Sequence, residues 1–232
     1  MKGLIKFVLV VIASAAVSVW ANQTLWPRLA QQPALRDYGI QTPIPAVERQ
    51  IIIQENAALK NAIDKVAKVL VLIKKTAVKG DVAAGAGLVL TSDGVAVALS
   101  DLLPQGAKFE ISVGGKTAPF EIVKRDATLN LALMKIDADN LSTSSFYPLD
   151  NLRLGERVFL LGADSSGKNF VNEGVVRSFN ADSIETTIIE KSAVKGSPVF
   201  DIEGNIIGLA LFDKAGWVSV IPISKIKEFS GL

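Results

Sequence analysis

Between Val69 and Ile223 the chain is a succession of short apolar stretches, five to eight residues each, separated by turn residues. The stretches read VLVLIKK, AGLVLTS, VAVALS, KFEISVG, PFEIVKR, LALMKI, RVFLLG, NEGVVRSF, IETTIIE, PVFDI, NIIGLALF and WVSVIPI. Between them lie Ser92-Asp93-Gly94, Gly114-Gly115, Ser165-Ser166-Gly167 and Glu203-Gly204-Asn205. Many short strands at regular spacing, with little helix among them, specify an all-β sandwich or barrel. A last short helix, SKIKEF, follows the final strand.

Composition narrows the chemistry. The 232 residues carry a net charge of +2, too small to point to nucleic acid. Cysteine is absent, so disulfides and thiolate sites are excluded and compartment cannot be read from redox chemistry. Histidine is absent as well. That removes the usual neutral-pH general base and the commonest metal ligand. There is no phosphate-binding glycine motif and no calcium loop, so neither cofactor nor metal is expected. Asp137 and Asp139, the nearest thing to a paired-carboxylate site, read as solvated turn residues.

The N-terminus has a different pattern. Lys2 and Lys6 precede an apolar run, and Leu4 to Ala21 is 18 residues, just enough to cross a bilayer core. Trp20 and Trp26 stand at its far end. With the lysines in front, the rest of the chain is expected outside the cytoplasm. Residues 1–26 thus read as a signal anchor in the membrane. The alternative is a secretory leader cleaved after Val19-Trp20-Ala21. Residues 27–45, with Pro33, Pro43 and Pro45, read as a linker. Residues 46–67 read as a helical stalk, with Ile52, Leu59 and Val66 seven apart and Asn56, Ile63 and Leu70 four after each. Such a helix either joins copies of the chain into a homo-oligomer or lies as an amphipathic helix on its own domain, residues 68–232.

Several stretches of that domain together resemble the trypsin-like serine proteases of the HtrA/Deg branch. Gly85-Ala86-Gly87-Leu88-Val89-Leu90, with Asp93-Gly94, resembles the strand and turn before the family's histidine. Asp126 to Leu133 resembles the segment holding its aspartate. Leu154-Gly155-Glu156-Arg157-Val158 with Leu161-Gly162 resembles the entry to its second barrel. Gly196 to Gly208 resembles the loop and hairpin after its serine, and Val220-Ile221-Pro222 the strand beside its substrate pocket. The resemblance implies two six-stranded antiparallel barrels with a cleft between them.

Carried over position by position, the family's histidine falls on Asp101 (on Ser100 with a one-residue slip), its aspartate on Asn130 and its serine on Lys195. The triad chemistry needs a hydroxyl, an imidazole and a buried carboxylate in line. These replacements predict a pseudoprotease rather than an enzyme. They also predict a partly buried ion pair from Asp101 to Lys195, with Asn130 donating to the Asp101 carboxylate; the alternative is two solvated charges in an open cleft. Loss of one partner from such a pair would cost roughly 3–5 kcal/mol. The competing expectation is hydrolysis by a Ser–Lys dyad, with Ser192, Ser197 or Ser100 attacking and Lys195 as base. Ala193 and Val194 suit an oxyanion loop poorly. The resemblance further implies that a peptide or protein ligand adds as a strand along Trp217-Val218-Ser219-Val220, with Gly196 and Ser197 completing the cleft.

Overall fold

The computed structural model describes residues 14, 17–25, 47–76, 82–164, 168–190 and 195–232. The chain divides into two units, Met1–Ile51 and Ile52–Leu232. Of the expected signal anchor at 1–26, all but residues 14 and 17–25 lies outside the described residues, and the linker at 27–45 lies wholly outside them. Among the described residues no helix is long and apolar enough to cross a membrane.

Alternation of side chains builds the strands. Along Ile184–Ile189, Ile184, Thr186 and Ile188 are buried while Glu185, Thr187 and Ile189 are exposed, the period of two that a half-buried strand needs. That strand is β10 of a closed antiparallel barrel. Its other members are β8 (Arg157–Ala163), β9 (Asn169–Phe179), β11 (Pro198–Asp201), β12 (Ile206–Phe212) and β13 (Trp217–Pro222), in the order β10-β13-β12-β11-β8-β9.

The first lobe is built from β1 (Leu70–Thr76), β2 (Val82–Val89), β3 (Val95–Leu99), β4 (Lys108–Val113), β5 (Lys116–Thr117), β6 (Phe120–Asp126) and β7 (Leu131–Ile136). Here the expected second six-stranded barrel is not formed. The seven strands make an open half-barrel in the order β5-β4-β1-β2-β3-β7-β6. Pro119 supplies a reason. Ala118 still donates to Ile111 in β4, but Pro119 has no N–H to continue that ladder, and its carbonyl accepts from Asp137 just past β7. The chain changes neighbours at the proline, leaving β5 two residues long and β6 with one partner.

Each lobe has its own core: Val71, Ile73, Ile111, Met134 and Ile136 in the first, Val158, Leu160, Ile184, Val199 and Val220 in the second. A third core is shared. Leu88, Val97, Leu99 and Leu131 pack with Phe159, Phe200, Leu209 and Ile221, and the Phe159 and Phe200 rings stack at 5.4 Å. This explains why β3, β7, β8 and β11 are buried almost throughout: both of their faces are covered.

Two helices close the shared core. Helix α1 spans Val47–Val66, and its Leu59, Ala62, Ile63 and Val66 pack against the domain. The residues of the heptad pattern from Leu59 onward are therefore used within the chain, as an amphipathic helix lying on its own domain uses them. Helix α2 (Ile223–Ser230) buries Ile223, Ile226 and Phe229 and ends at Gly231 in the left-handed conformation.

Candidate functional site

The site grows from three backbone details. Strand β3 ends at Leu99 in a single 3-10 turn, Ser100–Leu102. In the turn between β6 and β7, the Asp126 carboxylate accepts the N–H groups of Thr128 and Leu129. Asn130 then adopts a positive φ of 53°, a conformation asparagine tolerates better than most residues. This twist aims Asn130 at the 3-10 turn. Its carbonyl accepts the Ser100 N–H at 2.9 Å and its side-chain Oδ1 accepts the Asp101 N–H at 3.0 Å.

The third detail lies just before β11. The Lys195 carbonyl accepts the Ala86 N–H at 2.8 Å, forming a parallel bridge between the lobes at Gly85. Gly196 follows with φ +77°, and a Cβ there would meet the Ala86 carbonyl, so only glycine fits this crossing. With the backbone anchored, the Lys195 ammonium reaches Asp101 Oδ2 at 3.1 Å. Asp101, Asn130 and Lys195, from separate parts of the sequence, are thus neighbours in space.

The expected ion pair forms, but two of its expected properties do not hold. The side chains of Lys195 and Asp101 are 54% and 44% exposed, so the pair is solvated rather than buried. Exposed pairs of this kind contribute about 0–1 kcal/mol, below the stranded-charge cost expected from the sequence. Nor does Asn130 donate to the Asp101 carboxylate. It accepts from the Asp101 backbone, because the left-handed turn presents its oxygen to that N–H.

The other expected site residues are placed differently. Strand β13 is flanked by β10 on one side and β12 on the other, so Trp217–Val220 is not an open edge. Val218 and Val220 are buried at 2% and 1%, Gly196 and Ser197 are buried too, and Ser219 is half-buried. The register of β10 against β13 slips between Glu185 and Ile189, and there the buried Thr186 hydroxyl donates to the Val218 carbonyl. Edge status depends on which strand lies alongside, and β13's own sequence does not carry that information. Ser192, Ala193 and Val194 lie outside the described residues. Ser100 is half-buried beside the pair, and Ser197 sits beneath Gly162.

From the sequence, Asn130 is expected beside Asp101, but not the clamp in which it accepts from the Ser100 and Asp101 backbone. An asparagine just after an Asx turn and just before a strand is the signal that would have found it. Away from this face, Lys135 donates to Asp93 and, with Thr91, holds its carboxyl down to about 2. Burial and a hydrogen bond to Glu156 push the Tyr147 phenol well above its usual range.

Comparison with known proteins gives this geometry a family. A family model for the trypsin-like peptidase domain matches residues 77–209. The probable periplasmic serine endoprotease DegP-like of Halomonas elongata is 24% identical over 143 residues, 57% of this chain and 30% of that protein. Serine protease HTRA4 of Mus musculus is 28% identical over 160 residues, 62% of this chain and 33% of that protein. The chain thus spans about a third of the length of these relatives. The solved structure of the HtrA-type protease AlgW with tripeptide superposes with a TM-score of 0.67 at 21% identity, covering 75% of this chain and 62% of that one. These findings overturn the expectation of a non-enzyme: the matching family is a peptidase family, and the curated relatives are named as proteases.

Proposed function

Because this chain belongs to the trypsin-like peptidase domain family and is HtrA-like within it, we propose that its ligand is a polypeptide met at the face bearing Asp101 and Lys195. One observation carries the reading. An ammonium and a carboxylate, 3.1 Å apart and about half exposed, stand where the two lobes touch. A polypeptide offers both signs of partner at every peptide unit, a carbonyl for the ammonium and an N–H for the carboxylate. With no histidine in 232 residues, proton transfer at this face falls to an amine, a carboxylate, a hydroxyl or water.

We further propose that the domain is exported and held at the membrane. The support is the apolar run Leu4–Ala21 with Lys2 and Lys6 before it. Fractionation of cells expressing the full chain, with protease added outside, tests this. A domain that stays inside or comes off the membrane in the soluble fraction contradicts it.

The site reading is tested with the purified full chain, casein and a peptide library, scoring capture and cleavage together. Lys195→Ala and Asp101→Ala are each expected to weaken engagement of polypeptide by about tenfold, as loss of one charge-assisted hydrogen bond does. Undiminished engagement in both variants overturns the site.

A further inference from the structure

The open first lobe leaves β6 with a neighbour on one side only. Asp137 donates to the Pro119 carbonyl, so the next residue bonded inward is Glu121, opposite Lys135. By the alternation of an antiparallel pair, the N–H and C=O groups of Phe120 and Ile122 point away from β7. Among the described residues they find no backbone partner there. The edge is short. Val123 is a bulge in the pairing, and beyond it Lys124 is turned to the Phe229 carbonyl at 3.0 Å. Bulges and lysines are the usual means of blunting an edge, and here they spare only the first turn of the pleat.

Beside that spared segment opens a pocket of about 470 Å³ with Phe120 in its wall. Asp93, Glu121, Asp137 and Asp139 line it, against a single ammonium, Lys135, which Asp93 already engages. Glu121, Asp137 and Asp139 are solvent-exposed and have no ion-pair partner among the described residues. We propose that this edge and pocket form a second docking site, which takes an extended polypeptide segment carrying arginine or lysine. The segment pairs its backbone with Phe120 and Ile122 and places one basic side chain in the pocket. Backbone pairing supplies attachment and the carboxylates supply the choice of partner, since an acidic segment is repelled by the same charges. The site is distinct from the Asp101–Lys195 face and does not depend on it.

Fluorescein-labelled Val-Arg-Val-Arg-Val and Val-Glu-Val-Glu-Val, titrated into the full chain at low ionic strength, separate the outcomes by anisotropy. The arginine peptide is expected to saturate and the glutamate peptide is not. Glu121→Lys with Asp137→Lys, both at exposed positions, is expected to weaken the arginine peptide by at least about tenfold, as reversing two nearby charges does. Slowed exchange of the Phe120 and Ile122 amides, followed by NMR, places the strand. Ile122→Pro, which removes an outward N–H, is expected to weaken binding as well. Equal binding of the two peptides, binding unchanged by the charge reversal, protection confined to other strands, or no saturable binding of either peptide overturns the proposal.

Discussion

The two lobes solve the same problem in opposite ways. The second closes its six strands into a barrel, so every strand has two neighbours. The first stays open, because one proline moves the chain from β4 to β7 and strands β6 at the margin. In the closed lobe β13 lies between β10 and β12. In the open lobe β6 has β7 as its one strand neighbour.

The comparison breaks first at the shared core. Phe159→Ala removes a ring that stacks on Phe200 within the core that residues of both lobes share, and should cost about 3–5 kcal/mol. Chemical denaturation should show a single transition shifted downward. Two separate transitions would mean that the lobes are independent bodies after all.

Closure of the second lobe is sharpened by Thr186→Val. The buried hydroxyl that bridges the slip between β10 and β13 is lost, leaving the Val218 carbonyl without its donor, at a cost of about 1–3 kcal/mol. Amides of β10 and β13 should then exchange faster while those of β1 to β4 do not. Uniform acceleration would contradict a local closure.

Smaller still is the bridge between the lobes. Asp101→Ala and Lys195→Ala should each change stability by less than about 1 kcal/mol, with a coupling in the double variant no larger than that. A coupling of several kcal/mol would show that the pair is desolvated in solution.

The smallest effect is one of pH. Asp93 is held at about 2, below its ordinary 3.8, chiefly by the hydrogen bond from Lys135. A depressed carboxylate stabilises the fold above its unfolded value, and that contribution is lost as pH falls from about 4 toward 2. Lys135→Met should flatten this part of the acid melting curve. An unchanged curve would remove Lys135 as the cause.

Much of this was legible in the residues. The strands were, because apolar runs ending at Gly94, Gly114 and Gly204 leave few alternatives. The meeting of Asp101, Asn130 and Lys195 followed from their spacing within the family's motifs, and a pair of opposite charges was visible in the residue types. The direction of the Asn130 hydrogen bond was not, because it depends on a left-handed backbone angle that no side-chain pattern encodes. The open edge was illegible for a related reason. Pro119 could be seen, but which neighbour the chain would join after it is settled by packing at a distance. The same holds for α1, whose heptad-like spacing fits a partner helix and a domain surface equally well until Leu59 and Val66 are seen against the core. Asp137 and Asp139 looked like an ordinary polar turn, and only the fold brings Asp93 and Glu121 beside them.

The central claim, that polypeptide is met where the lobes join, is tested most directly by residue-resolved hydrogen exchange of the full chain with and without casein peptides. Slowed exchange is predicted at Ser100 and Asp101, around Asn130 and at Lys195 and Gly196, with the barrel strands β10 and β13 unchanged. Protection running along β13, with none at Asp101 or Lys195, would contradict it.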